Sequence, residues 1–131
     1  MQNPNTSFED MLSRADHAVT TYTVEETQVR LKETGVLLVD IRDIRELERT
    51  GRIVGARHVP RGMLEFWMYP DSPYYRDYLG EASEVILYCN RGWRSALAAS
   101  QMKDLGLLVS HMDGGFSEWK DKDLPIEMFQ R

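Results

Sequence analysis

The chain has 131 residues, 42% hydrophobic and 28% charged, which fits one domain with one core and is too apolar for a disordered segment. A single cysteine excludes an internal disulfide and a multi-cysteine zinc site, and a net charge of -5 argues against nucleic acid as the main partner. The longest aliphatic run, Val36-Leu37-Leu38-Val39, is far short of the ~20 residues of a membrane helix, so no membrane partner is expected.

Met1 to Asp10 lacks the basic start and apolar stretch of a secretion signal, and a reducing, cytoplasmic setting is the expectation. Ser7 reads as a helix cap leading into Met11 to Ala18, and Val19 to Tyr22 as a short extended piece. Thr23 with Glu26 forms a capping box that starts a helix from Val24 to Glu33, stopped at Gly35. Val36 to Ile41 is apolar on both faces, as a strand between two helical layers must be. Ile44 to Thr50 is a short helix closed by Gly51, and Arg57 to Pro60 a brief strand.

Gly62 to Gly80 is aromatic and poorly periodic, a helical turn plus loop. Its rings Phe66, Trp67, Tyr69, Tyr74, Tyr75 and Tyr78 read either as a lid or, for most of them, as core. Val85 to Tyr88 is a buried strand, Ser95 to Leu105 a helix ended by Gly106, and Leu107 to Val109 the last strand. Phe116 to Lys120 closes the helices, and Pro125 ends regular structure. Short buried strands separated by helices imply an α/β fold with a mostly parallel sheet covered on both faces. The chain reads as a single domain over 1–131, with an N-terminal helix at 7–18 and a core at about 19–124.

Charge is uneven along this order. Arg42, Arg45, Arg49, Arg52, Arg57 and Arg61 crowd one stretch, and Arg91, Arg94 and Lys103 another that holds no acid up to Lys103. Two local basic fields in an acidic chain suit a small anion better than a polyanion. Arg45, Arg49 and Arg52 read as solvated ion pairs.

The chemistry concentrates at Cys89, where a buried strand meets the turn Asn90-Arg91-Gly92-Trp93-Arg94 and a helix expected to begin at Ser95. Reactions in open parallel sheets occur at the carboxyl ends of strands, beside helix amino termini. There the N–H groups from Asn90 to Ser95 would line a cup around the sulfur, with Gly92 supplying left-handed dihedrals. A thiol that ionises near ~8.5 in isolation is brought to roughly 3.5–7.5 by helix starts and cations, so such a cup favours the thiolate. The alternative is a small buried hydrophobe, which the glycine turn and two arginines argue against.

"CNRGWRS" (Cys89 to Ser95) resembles the active-site loop of the rhodanese sulfurtransferases: a cysteine, a glycine three residues on, an arginine and a small hydroxylic residue. "VDIRD" (Val39 to Asp43) resembles the family's Asp-x-Arg strand end, "GRIVGARHVP" (Gly51 to Pro60) its Gly-His-Ile-Pro-Gly-Ala block, and "DGGFSEW" (Asp113 to Trp119) its closing Gly-Gly-x-x-x-Trp. Together these span about two-thirds of the chain in family order. Arg52 stands for the usual histidine and Val54 for the usual proline.

The resemblance implies a rhodanese-like three-layer sandwich with a mostly parallel five-stranded sheet. It also implies a thiosulfate sulfurtransferase, with Cys89 as nucleophile and carrier of a persulfide. The partners expected are a small anionic sulfur donor and a cyanide or thiol acceptor, a sulfur-accepting protein among them; no metal or cofactor is expected. Arg94 matches the loop arginine and is assigned to fixing the loop and facing the anion, with Arg91 second and Trp93 a pocket wall. Asp40 and Arg42 read as a supporting ion pair rather than substrate contacts. No general base is required, in keeping with the lack of a histidine beside Cys89; His58, His111 and Trp119 read as packing or hydrogen-bonding residues. Two rivals stand beside this: a non-catalytic binding module, and a cysteine phosphatase or arsenate reductase. Phosphatase relatives place five residues between cysteine and arginine, whereas four separate Cys89 from Arg94.

Overall fold

A computed structural model describes residues 1–130. Its elements alternate along most of the chain: α1 (Phe8–Ala18), β1 (Thr21–Tyr22), α2 (Val24–Arg30), β2 (Val36–Asp40), α3 (Ile44–Thr50), β3 (Arg52–Ile53) and β4 (Arg57–His58). A 3-10 turn at Arg61–Met63 leads into α4 (Leu64–Met68), α5 (Asp77–Gly80), β5 (Glu84–Tyr88) and α6 (Trp93–Asp104). The chain then forms β6 (Val109–Met112), α7 (Gly115–Asp121) and β7 (Ile126–Glu127). None of the helices among the described residues is long and apolar enough to cross a membrane.

Five strands make one all-parallel sheet in the order β1-β6-β5-β2-β4. The two central strands are buried on both faces, and their period-2 alternation divides the core. Val39 and Ile41, with Val85, Leu87 and Cys89, pack against Leu64, Met68, Leu79, Ala98, Ala99 and Met102 from α4, α5 and α6. Val36, Leu38, Ile86 and Tyr88 face the other way, against Val24 of α2 and Phe116 and Trp119 of α7. This is the three-layer α/β architecture expected from the sequence.

Local chemistry places the helix starts. Ser7 Oγ accepts the Asp10 N–H at 3.1 Å, and the Thr23–Glu26 capping box forms with both reciprocal bonds. A second capping box, Asp43 with Glu46, starts α3 after the strand end at Asp40. Several boundaries move: β1 is only Thr21–Tyr22, α2 ends at Arg30, and α6 begins at Trp93 rather than Ser95.

Two expectations are overturned. The last parallel strand is Val109–Met112, not Leu107 to Val109, because pairing with β5 sets Val85 opposite Val109 and leaves Leu108 71% exposed in the approach. Polar Ser110 and His111 disguise this strand, yet both are buried with partners; Ser110 Oγ donates to Glu84 Oε2 at 2.9 Å. Regular structure also continues past Pro125: β7 pairs antiparallel with β3, and Arg52 donates to Glu127 Oε1 at 3.0 Å. Arg52, which departs from the family's histidine, also lies over the Phe129 ring, 5.0 Å from its centre.

Candidate active site

Cys89 follows β5 directly and is buried, 1% exposed. Gly92 takes φ +97°, turning the chain so that α6 starts immediately with Trp93, Arg94 and Ser95 in its first turn. That turn points the Gly92 N–H at the Cys89 Sγ, 3.1 Å away. Among the described residues this is the one main-chain donor on the sulfur. The Gly92 N–H thus holds the sulfur at the head of a helix, where the first-turn amides from Trp93 to Ser95 lack intrahelical acceptors.

The second partner of the sulfur is a side chain. Ser95 Oγ lies 3.6 Å from Sγ, and the same hydroxyl lies 3.0 Å from His111 Nδ1. His111 is fully buried on β6, and its Nε2 meets Asp16 Oδ1 of α1 at 2.9 Å. The ionised Asp16 only accepts, so Nε2 carries the hydrogen and Nδ1 is free to accept from Ser95. The sequence shows no histidine beside Cys89, but parallel pairing of β6 with β5 brings His111 within one hydroxyl of it. Burial pushes the His111 pKa below its ordinary value, opposed by Asp16 and Asp113, so the neutral ring is favoured.

The loop is gripped from beneath by α7. The Phe116 and Ser117 amides donate to the Cys89 and Asn90 carbonyls at 2.9 and 3.0 Å. Such an approach leaves no room for a side chain on Gly115, where a Cβ would lie 2.5 Å from the Cys89 carbonyl oxygen. This accounts physically for the second glycine of the "DGGFSEW" motif.

A cavity of about 150 Å³ opens on this loop, lined by Cys89, Asn90, Arg91, Trp93 and Arg94. Trp93 is half-exposed and stands edge-on to Phe8 of α1, ring centres 5.6 Å apart. None of the six aromatic residues between Phe66 and Tyr78 lines this cavity, so they form no lid over it. Trp67 and Tyr78 pack against the core beneath Arg76 and Arg57, while Phe66 and Tyr74 are more than half exposed.

The arginines separate in role. Arg94 reaches the cavity, yet its guanidinium makes two hydrogen bonds to Glu46 of α3 at 2.8 and 2.9 Å. That bond lowers the Glu46 pKa and raises that of Arg94. Arg94 thus lines the cavity while already paired with a carboxylate, so an anion there would share its guanidinium with Glu46. Arg91 is exposed at the rim and has no ion pair among the described residues.

Arg42 and Asp40 form a buried pair, Nη2 to Oδ2 at 2.7 Å. The guanidinium also donates to Thr50 Oγ1 at 3.0 Å and the Gly51 carbonyl at 2.8 Å, and it lies 4.4 Å from the centre of the Phe116 ring. Burial depresses the Arg42 pKa, but the bonds to Asp40 outweigh this and hold it above the ordinary value. The pair joins β2, α3 and α7 below the site without lining the cavity. Sequence reasoning missed Asp16, Phe8 and Glu46; only Glu46 carried a signal, as the acid three residues after a possible N-cap, Asp43.

The sequence matches the rhodanese-like domain family over residues 23–122, which includes the cysteine loop and both strands that hold it. The chain belongs to that family. A protein of unknown function from Rhodopseudomonas palustris, described as a possible tyrosine phosphatase, is 41% identical with a TM-score of 0.88. The match covers 97% of this rhodanese-like chain and 98% of that one. A thiosulfate sulfurtransferase from Pseudomonas aeruginosa is 25% identical with a TM-score of 0.67, over 83% of this chain and 19% of that one. A human single-domain sulfurtransferase shares the fold at 24% identity and a TM-score of 0.64, over 78% of this chain and 96% of that one. Comparison with curated proteins gave no match. The rhodanese-like domain thus has a sulfurtransferase-type fold.

Proposed function

We propose that this rhodanese-like protein is a sulfurtransferase that carries sulfur on Cys89, drawing it from thiosulfate or a related small anion. The observation that carries the reading is the Sγ of Cys89 at the strand end, held by the Gly92 N–H at the start of α6 and open to a small cavity. An N–H donor and the positive end of a helix both favour anionic sulfur there. The Cys89 thiolate attacks the outer sulfur of thiosulfate, the donor's S–S bond breaks, and sulfite leaves with the electron pair. The cysteine then bears a terminal sulfur whose negative charge the same donors stabilise. A cyanide carbon or thiolate sulfur attacks that terminal atom, the second S–S bond breaks, and the Cys89 thiolate returns. Acceptors in the cell are then a small thiol or a sulfur-accepting protein, in a reducing, cytoplasmic setting that keeps the lone cysteine free.

A cysteine phosphatase is the second reading, favoured by the description of the 41% identical relative. One feature opposes it: only four residues lie between Cys89 and Arg94, one fewer than phosphatase loops use. Incubation with thiosulfate should add the mass of one sulfur atom to the intact protein, removable by cyanide and absent from Cys89→Ala. An unmodified wild-type protein that instead releases nitrophenol from nitrophenyl phosphate would transfer the assignment to the phosphatase. An unmodified protein with neither activity would leave a binding module.

A further inference from the structure

We propose that Ser95, His111 and Asp16 form a proton relay serving Cys89, in which Ser95 passes the proton and His111 and Asp16 are positioning residues acting through it. The inference rests on Cys89 being the nucleophile. It adds a device that comes partly from α1, since Asp16 precedes the family-matched residues 23–122. Four groups from four parts of the fold meet in one line: Sγ to Ser95 Oγ at 3.6 Å, Oγ to His111 Nδ1 at 3.0 Å, and Nε2 to Asp16 Oδ1 at 2.9 Å.

The polarity of the line is fixed at one end. Asp16 accepts from Nε2–H, which leaves Nδ1 as an acceptor, so the Ser95 hydroxyl gives its hydrogen to the ring at 3.0 Å in preference to the Gly92 carbonyl at 3.3 Å and turns its lone pairs to the thiol. Activation then balances simply. The Cys89 S–H bond breaks with its electron pair left on sulfur, and its proton goes to Ser95 Oγ. The original Ser95 hydroxyl proton moves to Nδ1. The products are a thiolate held by the Gly92 N–H and an imidazolium beside the Asp16 carboxylate. Two other charged groups bear on the line: Asp113, which favours the imidazolium, and Arg94, which lines the same cavity as the sulfur but is bonded to Glu46. Ser95 and His111 are both fully buried, so bulk water does not reach the two inner links of the line.

The test is the rate of Cys89 alkylation by iodoacetamide as a function of pH, followed by the mass of the intact protein. His111→Gln and Ser95→Ala should each move the midpoint of that profile upward by about one pH unit, an alkylation rate about tenfold lower at pH values below the wild-type midpoint. Combining the two should move it no further, because either breaks the same line. Asp16→Asn sits on a half-exposed side chain and keeps the test valid should either buried variant fail to fold; it should shift the midpoint the same way by less, and Asp16→Glu should restore it. An unmoved midpoint in Asp16→Asn, a downward shift, or loss of stability without any shift would overturn the relay and leave the three residues as packing. Alkylation needs no sulfur donor. A wild-type protein that alkylates as described but forms no persulfide would therefore count against the sulfurtransferase reading alone.

Discussion

The Arg94 guanidinium holds both oxygens of the Glu46 carboxylate, at 2.8 and 2.9 Å, across 48 residues of sequence. Glu46 also accepts the Asp43 N–H at 3.0 Å in the capping box of α3, so the first turn of the cysteine helix is tied to the first turn of α3. An anion arriving at Cys89 must therefore share Arg94 with this carboxylate.

Arg94→Ala should lower kcat/KM for thiosulfate at least about tenfold, while the melting temperature moves little, since half-exposed pairs contribute little stability. Unchanged thiosulfate kinetics would remove Arg94 from the site. The pair also has a definite pH sense. Arg94 lowers the Glu46 pKa, so the clamp's contribution is complete above the ordinary carboxylate range and disappears as pH falls through the lowered value. The stability difference between wild type and Glu46→Gln should thus be present at neutral pH and close in acid.

Asp40 and Arg42 should behave as scaffold. Asp40→Ala leaves a buried guanidinium without its counter-charge, which costs about 3–5 kcal/mol in comparable buried pairs. Urea unfolding should show a loss of that order, with KM for the donor unchanged in the protein that remains folded. A raised KM with unchanged stability would instead make the pair a substrate contact.

Gly115→Ala should be severe for two separate reasons. Its φ of +60° is unfavourable for a side chain, and the new Cβ would press on the Cys89 and Asn90 carbonyls that α7 grips. A loss of about 1–3 kcal/mol is expected from the strain alone, and displacement of the loop should cut sulfur transfer more than Gly55→Ala, which also has a positive φ, +86°, but meets nothing within 4 Å. Equal transfer rates in the two variants would show that contact with the loop is immaterial.

Much of the fold was legible because its cues are local. The capping box at Thr23, the glycine stop at Gly51 and the apolar runs of β2 and β5 each act over a few residues. β6 was displaced in the sequence reading because its middle is polar, and only burial against Glu84 and Ser95 makes Ser110 and His111 suitable strand residues. β7 was missed because a two-residue antiparallel pairing depends on β3, some seventy residues earlier, and leaves no periodicity to detect.

The sequence by itself determined the α/β layering, the membership implied by four ordered motifs, and the placing of a lone cysteine between a buried strand and a glycine turn. These follow from side-chain period, capping and backbone freedom, which neighbours along the chain decide. Only the tertiary structure decided what surrounds the sulfur: a parallel crossover sets His111 behind Ser95, α1 brings Asp16 to His111 and Phe8 to Trp93, and α3 delivers Glu46 to Arg94. The physical reason is that hydrogen bonds and ion pairs depend on distances of about 3 Å in space, and strand order, not sequence order, fixes which groups come that close.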